Sequence, residues 1–589
     1  MTAKAPARTR KIDEHWLVVA IWLAVCVAMV WLSRSSIATR KFPDPDDAMR
    51  LLQVRDWIAG QNWFDVTQYR LNSPAGVPMH WSRLVDVPIA AVILLARPFV
   101  GQQWAEAVAL TVVPLVTLGI AMLLMYRIAA VLMEGRGALL AVIAMSVSLG
   151  TLQQMRPMRI DHHGWQIVLA LTGVLAALST RRLRPGLIAG AAMAAWLNIS
   201  IEGLPFAAAI GALFGFNWLV DPTDDERLTG YASALAGVSL LLFGLTHLPR
   251  TWTSQPHDVV TIAHLAGFCV AACGALLAVR PEVADLKKRL IVLACIGAAA
   301  LVAMFATDPR WMQGPFDSLD PLVRDMWYFR VDEGLPIWRL VPSQVAIALA
   351  QPIVGFAGAF IALRRSDGAK RRLWLTYLYF LLVSALASAF VVRWATTASI
   401  ISLPGTAFLC LLALRRAQAL PLMPLRVLAT AAAFFVIAPA YALPVSVTSI
   451  DKRVQHAVTS YNQCLESSEL GKLNALPTGN IAAPLDIAPA ILVNTRHSAV
   501  ASGHHRGGEA MADVIRLFVL APTQGREIVE RRQVDYLVFC PGAPETVRYA
   551  YHGGDGLTAM LSANRIPDWL EPVQVPGLRA LRVWRVRKG

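Results

Sequence analysis

The sequence has no Walker loop, no glycine-rich dinucleotide fingerprint and no cysteine and histidine spacing of the zinc type. A nucleotide-driven pump is thereby excluded, because its ATP site is missing. Cysteine is scarce: seven occur in 589 residues, and Cys26, Cys269, Cys273, Cys295 and Cys410 lie in apolar runs, where they act as small hydrophobes. Cys464 and Cys540 fall in the polar tail, and the sequence leaves open whether they form a disulfide or two buried thiols. Charge is also scarce, with 16% of residues charged against 56% hydrophobic and a mean hydropathy of +0.50. A soluble domain carries far more charged surface, so the chain is read as a polytopic membrane protein. The net charge of +15 would suggest nucleic acid in a soluble chain. Here the Lys and Arg residues sit in short clusters between apolar segments, where they report topology, and no nucleic-acid partner is expected.

A helix needs about 20 apolar residues to cross a bilayer. Spans are predicted at 16–34, 105–132, 136–152, 164–180, 185–201, 203–220, 229–247, 259–279, 289–306, 341–363, 372–391, 396–414 and 425–446, about thirteen in all. The segment 84–100 begins near Asp86, carries Arg97-Pro98 and is read as interfacial or re-entrant. With that choice the basic clusters Arg8/Arg10/Lys11, Arg127/Arg136, Arg181/Arg182/Arg184, Lys287/Lys288/Arg289, Arg364 to Arg372 and Arg415/Arg416 all fall on the N-terminal side, which the positive-inside rule makes cytoplasmic. Loops 35–104, 153–163 and 307–340 and the tail then face outward. The first span reads as an uncleaved signal anchor. The expected architecture is mainly α: a membrane part over 1–447 and a small outward α/β domain over 448–589, with strands at 490–493, 536–539 and 581–586 and helices at 511–520, 524–532 and 556–563.

The acids that are present cluster. Asp44, Asp46 and Asp47 follow the first span at the start of a helical pattern closed by Gly60. One of them can cap that helix. The other two call for a ligand, because carboxylates at a membrane exit are costly unless they bind something. A second polar knot, Arg156-Pro-Met-Arg159-Ile-Asp161-His162-His163, lies two spans later on the same predicted side. Asp161 could cap the next helix, and together with the first cluster the knot could frame one site for a metal or a phosphate-bearing substrate. Hard carboxylates with one imidazole suit Mg²⁺ or Mn²⁺. Glu202 sits at the outer ends of two apolar segments, a functional candidate by default. Trp57, Trp63, Trp81 and Trp104 are read as interface anchors, and His497, Ser502, His504, His505 and Arg506 as a polar surface loop.

In the order of these motifs, an acidic motif after the first helix, the run Arg55-Asp56-Trp57-Ile58-Ala59-Gly60, two helices and then Asp161-His162-His163, the chain resembles the catalytic subunit of oligosaccharyltransferases, membrane glycosyltransferases of the GT-C class. The resemblance implies that Asp46, Asp161 and His163 hold a divalent metal, with Asp44 and Asp47 as alternatives in the first motif. It implies further that Glu333, in Tyr328-Phe-Arg330-Val-Asp332-Glu333-Gly-Leu-Pro336, contacts the metal and orders the acceptor, and that Arg393 holds the lipid phosphate. Asp46, Asp44, Asp47 and Glu333 are thus the catalytic candidates, and Arg393, Arg159, Arg156, His162 and Glu202 the substrate-binding ones. The implied activity is inverting transfer of a sugar from a polyprenyl-phosphate or polyprenyl-diphosphate donor to a glycan, lipid or protein acceptor outside a bacterial plasma membrane. The family's Trp-Trp-Asp element, which reads the asparagine sequon, does not occur in this sequence, so protein N-glycosylation is not expected. A non-enzymatic transporter of lipid-linked glycans is the competing reading. It would place ionisable groups near the midplane and show repeated halves, which this sequence does not.

Overall fold

The computed structural model describes residues 14–133, 135–280, 283, 285–313, 316, 319–439 and 461–588. The Arg8/Arg10/Lys11 cluster, the end of the 425–446 span and the 447/448 boundary lie outside the described residues. The first helix, α1 (Glu14–Thr39), presents a long apolar surface and is tied to the bundle by Trp22, whose indole N–H donates to the Leu115 carbonyl at 2.7 Å. The second, α2 (Pro45–Ile58), starts where the sequence predicts it. Pro45 presets the first turn and the Asp44 carboxylate accepts the Asp46 amide at 3.0 Å.

The third helix, α3 (Arg83–Leu132), is two helices joined at Gly101, whose φ of 75° breaks the helical path. Residues 84–100 are therefore a separate arm ahead of the span at 105–132. One face buries Arg83, Asp86, Ile89 and Ile93 while Leu94, Leu95 and Phe99 point outward. Two other predicted spans are also broken. The 136–152 segment divides at Ser148, which is extended, into Arg136–Val147 and Leu149–Gln154. The 396–414 segment bends by 43° between Trp394–Ile401 and Leu403–Gln418, next to Pro404, which cannot donate to the preceding turn.

By length and apolarity seven described helices can cross a membrane, or eight if the bent pair is one span, and shorter apolar helices such as His163–Ala177 complete the bundle. The number thirteen is thus not reproduced by that measure. Some crossings depend on missing side chains: a Cβ on Gly358 would lie 1.9 Å from the Gly405 carbonyl oxygen, so Pro342–Arg364 and Leu403–Gln418 meet backbone to backbone.

The tail forms a five-stranded sheet of order β4-β3-β5-β7-β6, from β3 (Asn480–Ala482), β4 (Ser498–Ala499), β5 (Tyr536–Phe539), β6 (Leu570–Pro572) and β7 (Arg582–Val586). The β3 strand runs parallel to β4 and β5; β7 is antiparallel to both β5 and β6. The expected strands at 536–539 and 581–586 are present. The one at 490–493 is instead inside a helix, Ala488–Asn494. Four apolar residues cannot distinguish strand from helix, and Pro489 in the first turn presets the helix. Cys464 and Cys540 are joined in a disulfide.

The loops at 35–104 and 307–340 are built into this domain. The hairpin of β1 (Thr67–Gln68) and β2 (Val77–Pro78) docks on the β4 edge, where the Asn72 amide donates to the Ala499 carbonyl at 2.9 Å. Helix Pro321–Met326 places Val323 and Met326 in the core of the tail domain.

Candidate functional site

The amino end of α2 is where the two acidic motifs meet. Asp47 is fully buried. One of its oxygens accepts the backbone amides of Ile160 and Asp161 at 2.8 and 2.9 Å, and the other pairs with Arg159 at 3.0 Å. Asp47 therefore pins the 153–163 loop onto the first turn of α2, and its lone pairs are already used. Arg159 also reaches Asp44 at 3.0 Å. Burial, and then repulsion from Asp46, push Asp44 up to about 6. Asp46 moves the other way. Burial raises it, but the His504 imidazole 3.5 Å away outweighs burial and brings it to about 2.

The fixed loop aims Asp161 into the site. Its Oδ1 contacts His162 Nδ1 at 2.6 Å and Arg50 at 3.4 Å, and its Oδ2 lies 3.2 Å from His163 Nε2. Burial opposes the charge on Asp161, yet His162, His163 and Arg50 hold the carboxyl well below the usual carboxylate range. His163 Nδ1 faces the Gln166 side-chain oxygen at 2.9 Å, which places the ring proton on that nitrogen and leaves Nε2 as a lone pair. A lone pair and a carboxylate oxygen then face each other, and Asp161 Oδ2 is buried without a hydrogen-bond donor. That donor set suits a divalent cation. The ligand-type atoms of Asp161, His162 and His163 lie within 4.8 Å of one another, while Asp46 stands beside this trio, close enough for Asp161 to oppose its ionisation and 3.5 Å from His504.

Beneath these groups is an ion network that the sequence analysis missed. Asp86 is fully buried and accepts from Arg50 at 3.0 Å, Gln53 at 2.7 Å and Arg83 at 3.3 Å. Arg50 also stacks on Trp81, 4.6 Å from the ring centroid. Trp81 is 2% exposed, so it is a core residue and not an interface anchor. The one available signal was spacing: Arg50 follows Asp46 by four residues and Asp47 by three, on one face of α2.

The tail contributes as well. His504, expected in a polar surface loop, is buried against Trp81 and Asp46. His505 and Arg506 grip Asp258, with Arg506 on both oxygens at 2.7 and 2.8 Å and on the Met79 carbonyl at 2.9 Å. His80, Asp258 and His505 also bring ligand-type atoms within 4.8 Å of one another. Because Arg506 already saturates Asp258, this second cluster is a clamp between the tail and the first loop. His497 is elsewhere, bonded to the Leu473 carbonyl and the Gly479 amide.

Arg393 occupies the opposite flank, between Glu202 at 2.6 Å and Glu333 at 2.5 Å, and its amide donates to the Glu333 carbonyl. Glu333 thus reaches the guanidinium, and its charge also acts on His163. The guanidinium Nε is buried with no partner. Arg156 is exposed at the rim and makes no ion pair among the described residues.

A carboxyl pair missed by sequence, Asp486 and Glu545, lies under the tail face. Burial, and then repulsion from Glu545, push Asp486 up to about 8. A folded-state value above the unfolded one, about 4, means that this group's contribution to stability is full at low pH and is lost as pH rises through about 8. Relative to Asp486→Asn, which does not titrate, the unaltered chain is expected to lose at least ~3 °C of melting temperature between pH 5 and pH 8 in a thermal-shift titration.

No protein-family model and no curated protein matches the chain. Solved structures do. The oligosaccharyltransferase of Archaeoglobus fulgidus tethered to an acceptor peptide is similar at a TM-score of 0.65 and 15% identity, over 98% of this chain and 74% of that one. The same archaeal protein, AglB, in complex with an inhibitory peptide and a dolichol-phosphate gives 0.64 and 13%, over 95% and 73%. Its complex with zinc and sulfate gives 0.57 and 14%, over 92% and 70%. At these identities the likeness is one of fold: the chain is a multi-pass membrane protein with the GT-C architecture of an oligosaccharyltransferase.

Proposed function

We propose that this chain is an integral membrane glycosyltransferase. It moves a sugar or glycan from a polyprenyl-phosphate or polyprenyl-diphosphate carrier to an acceptor outside the bacterial plasma membrane, with inversion at the anomeric carbon. One observation carries the reading: Asp47 ties two acidic loops distant in sequence together at the point where Asp161 Oδ2, lacking a donor, faces the lone pair of His163.

Asp46, Asp161 and His163 are the residues that would hold a divalent metal, Mg²⁺ or Mn²⁺, which when bound neutralises charge on the leaving phosphate. Arg393, oriented by Glu202 and Glu333, offers its unpartnered Nε–H to the same phosphate. The bond between the anomeric carbon and the phosphate oxygen breaks as the acceptor's hydroxyl oxygen bonds to that carbon, and the acceptor's proton passes to a carboxylate. Asp44 suits that task better than Asp47, whose oxygens are engaged by Arg159 and two amides. The archaeal neighbour's solved complexes, with dolichol-phosphate and with zinc, support an anionic lipid carrier and a metal. The disulfide in the tail fits an oxidising, outward compartment with the N-terminus cytoplasmic.

The test uses the purified full chain in proteoliposomes with a labelled undecaprenyl-phosphate sugar, outer-leaflet lipids and Mn²⁺. Label is expected to pass to a product, with at least ~100-fold less transfer after chelation. Translocation of the labelled lipid without transfer would replace this reading with that of a transporter.

A further inference from the structure

Buried atoms that the fold leaves without partners mark a second side of the cation site. Among the described residues, buried side-chain nitrogen and oxygen atoms with no hydrogen-bond partner belong mostly to guanidinium, amide, hydroxyl and indole groups. Two are of the kind that ligates a metal, a carboxylate oxygen and an imidazole nitrogen: Asp161 Oδ2 and His504 Nε2. Each faces a partner of the complementary kind. Asp161 Oδ2 is 3.2 Å from His163 Nε2, and His504 Nε2 is 3.5 Å from Asp46 Oδ1. The two pairs are built alike. The Gln166 side-chain oxygen meets His163 Nδ1 at 2.9 Å, and the Ser502 hydroxyl oxygen meets His504 Nδ1 at 2.7 Å, so each ring is held from behind with Nε2 turned toward an aspartate.

The surroundings of His504 fix it in that pose. The residue is 4% exposed and Ser502 1%. Its ring stands edge-on to Trp81 with centroids 5.1 Å apart, and Trp81 carries the Arg50 guanidinium that reaches Asp161. The His504 amide donates to the Ser502 carbonyl at 2.8 Å, and its own carbonyl accepts the Gly507 amide at 2.9 Å. Nε2 makes no hydrogen bond to Asp46. The separation instead resembles that of two ligands on one ion, since donor atoms about 2.1 Å from a cation stand about 3.0–3.4 Å apart at octahedral to tetrahedral angles.

We propose that His504 is a fourth protein ligand of the cation held by Asp46, Asp161 and His163, supplied by the tail. The inference rests on the metal site of the glycosyl-transfer reading and deepens it. An imidazole ligates as the neutral ring, so any proton on Nε2 is released to solvent as the ion binds and the nitrogen lone pair forms the new bond. Two carboxylates with two imidazoles suit Mn²⁺ better than Mg²⁺, which takes oxygen ligands and keeps its waters. The ion thereby joins three parts of the chain: the first loop through Asp46, the second motif through Asp161 and His163, and the tail through His504.

Pulsed electron paramagnetic resonance of the purified full chain with one equivalent of Mn²⁺ tests this without requiring turnover. Coupling of Mn²⁺ to the nitrogens of two imidazoles is expected, and to one fewer in His504→Gln, where Mn²⁺ binding should also weaken at least ~10-fold. Unchanged nitrogen coupling in that variant overturns the proposal. Coupling to a single imidazole in the unaltered chain overturns it too, whether or not the variant folds, as does a failure of the unaltered chain to bind Mn²⁺. If two imidazoles bind Mn²⁺ and no labelled sugar is transferred, the ligand assignment stands and the glycosyl-transfer reading falls, so the two failures are separable.

Discussion

Asp161→Asn is expected to lower sugar transfer at least ~100-fold, and Asp46→Asn by a similar factor, with little change in melting temperature. Asparagine keeps the size of Asp161 and its contacts to Arg50 and His162. It replaces one carboxylate oxygen by an N–H₂ group, which cannot share a cation with His163. Steady-state turnover of a labelled polyprenyl-linked sugar, measured with manganese affinity, checks this. A loss in both quantities supports a shared ion, whereas full activity in Asp161→Asn would exclude Asp161 and its two histidines from the chemistry. Gln166→Leu should follow in milder form, about 10- to 100-fold, because it removes the group that fixes the His163 ring proton.

Asp86→Ala is expected to have the largest effect on stability, about 3–5 kcal/mol. The carboxylate is completely buried between Arg50 and Arg83, which are 1% and 2% exposed. Removing it leaves Arg50 with the 3.4 Å contact to Asp161 and the stack on Trp81, and Arg83 with uncharged partners. Uncompensated charge in that setting costs far more than the intact pair contributes. Thermal unfolding of the purified chain measures it. A loss below about 1 kcal/mol would mean that water reaches both guanidinium groups. Transfer should fall too, since Arg50 helps to aim Asp161.

The membrane class, the clustering of the acidic motifs and the helix starting at Pro45 were legible because each depends on local pattern: apolar run length, cluster composition and first-turn chemistry. Helix breaks were not. Ser148 interrupts a run whose hydropathy is continuous, and the 490–493 strand failed because four apolar residues carry no period that separates helix from strand. The tail loop at 502–506 was read as solvated, since His504, His505 and Arg506 look polar until Asp46, Asp258 and Trp81 are brought against them.

Composition and order alone established a membrane-embedded bundle bearing two acidic loops and a polar tail, because transfer free energies of long segments add up along the chain without reference to distant neighbours. Which carboxylate anchors and which stays open was decided by three-dimensional packing. Asp44, Asp46 and Asp47 are equivalent in a local reading, and they became different only when Arg159, His504 and the backbone of residues 160–161 arrived from other parts of the chain. Hydrogen-bond saturation and desolvation depend on partners in space, and at this site those partners lie more than a hundred residues away.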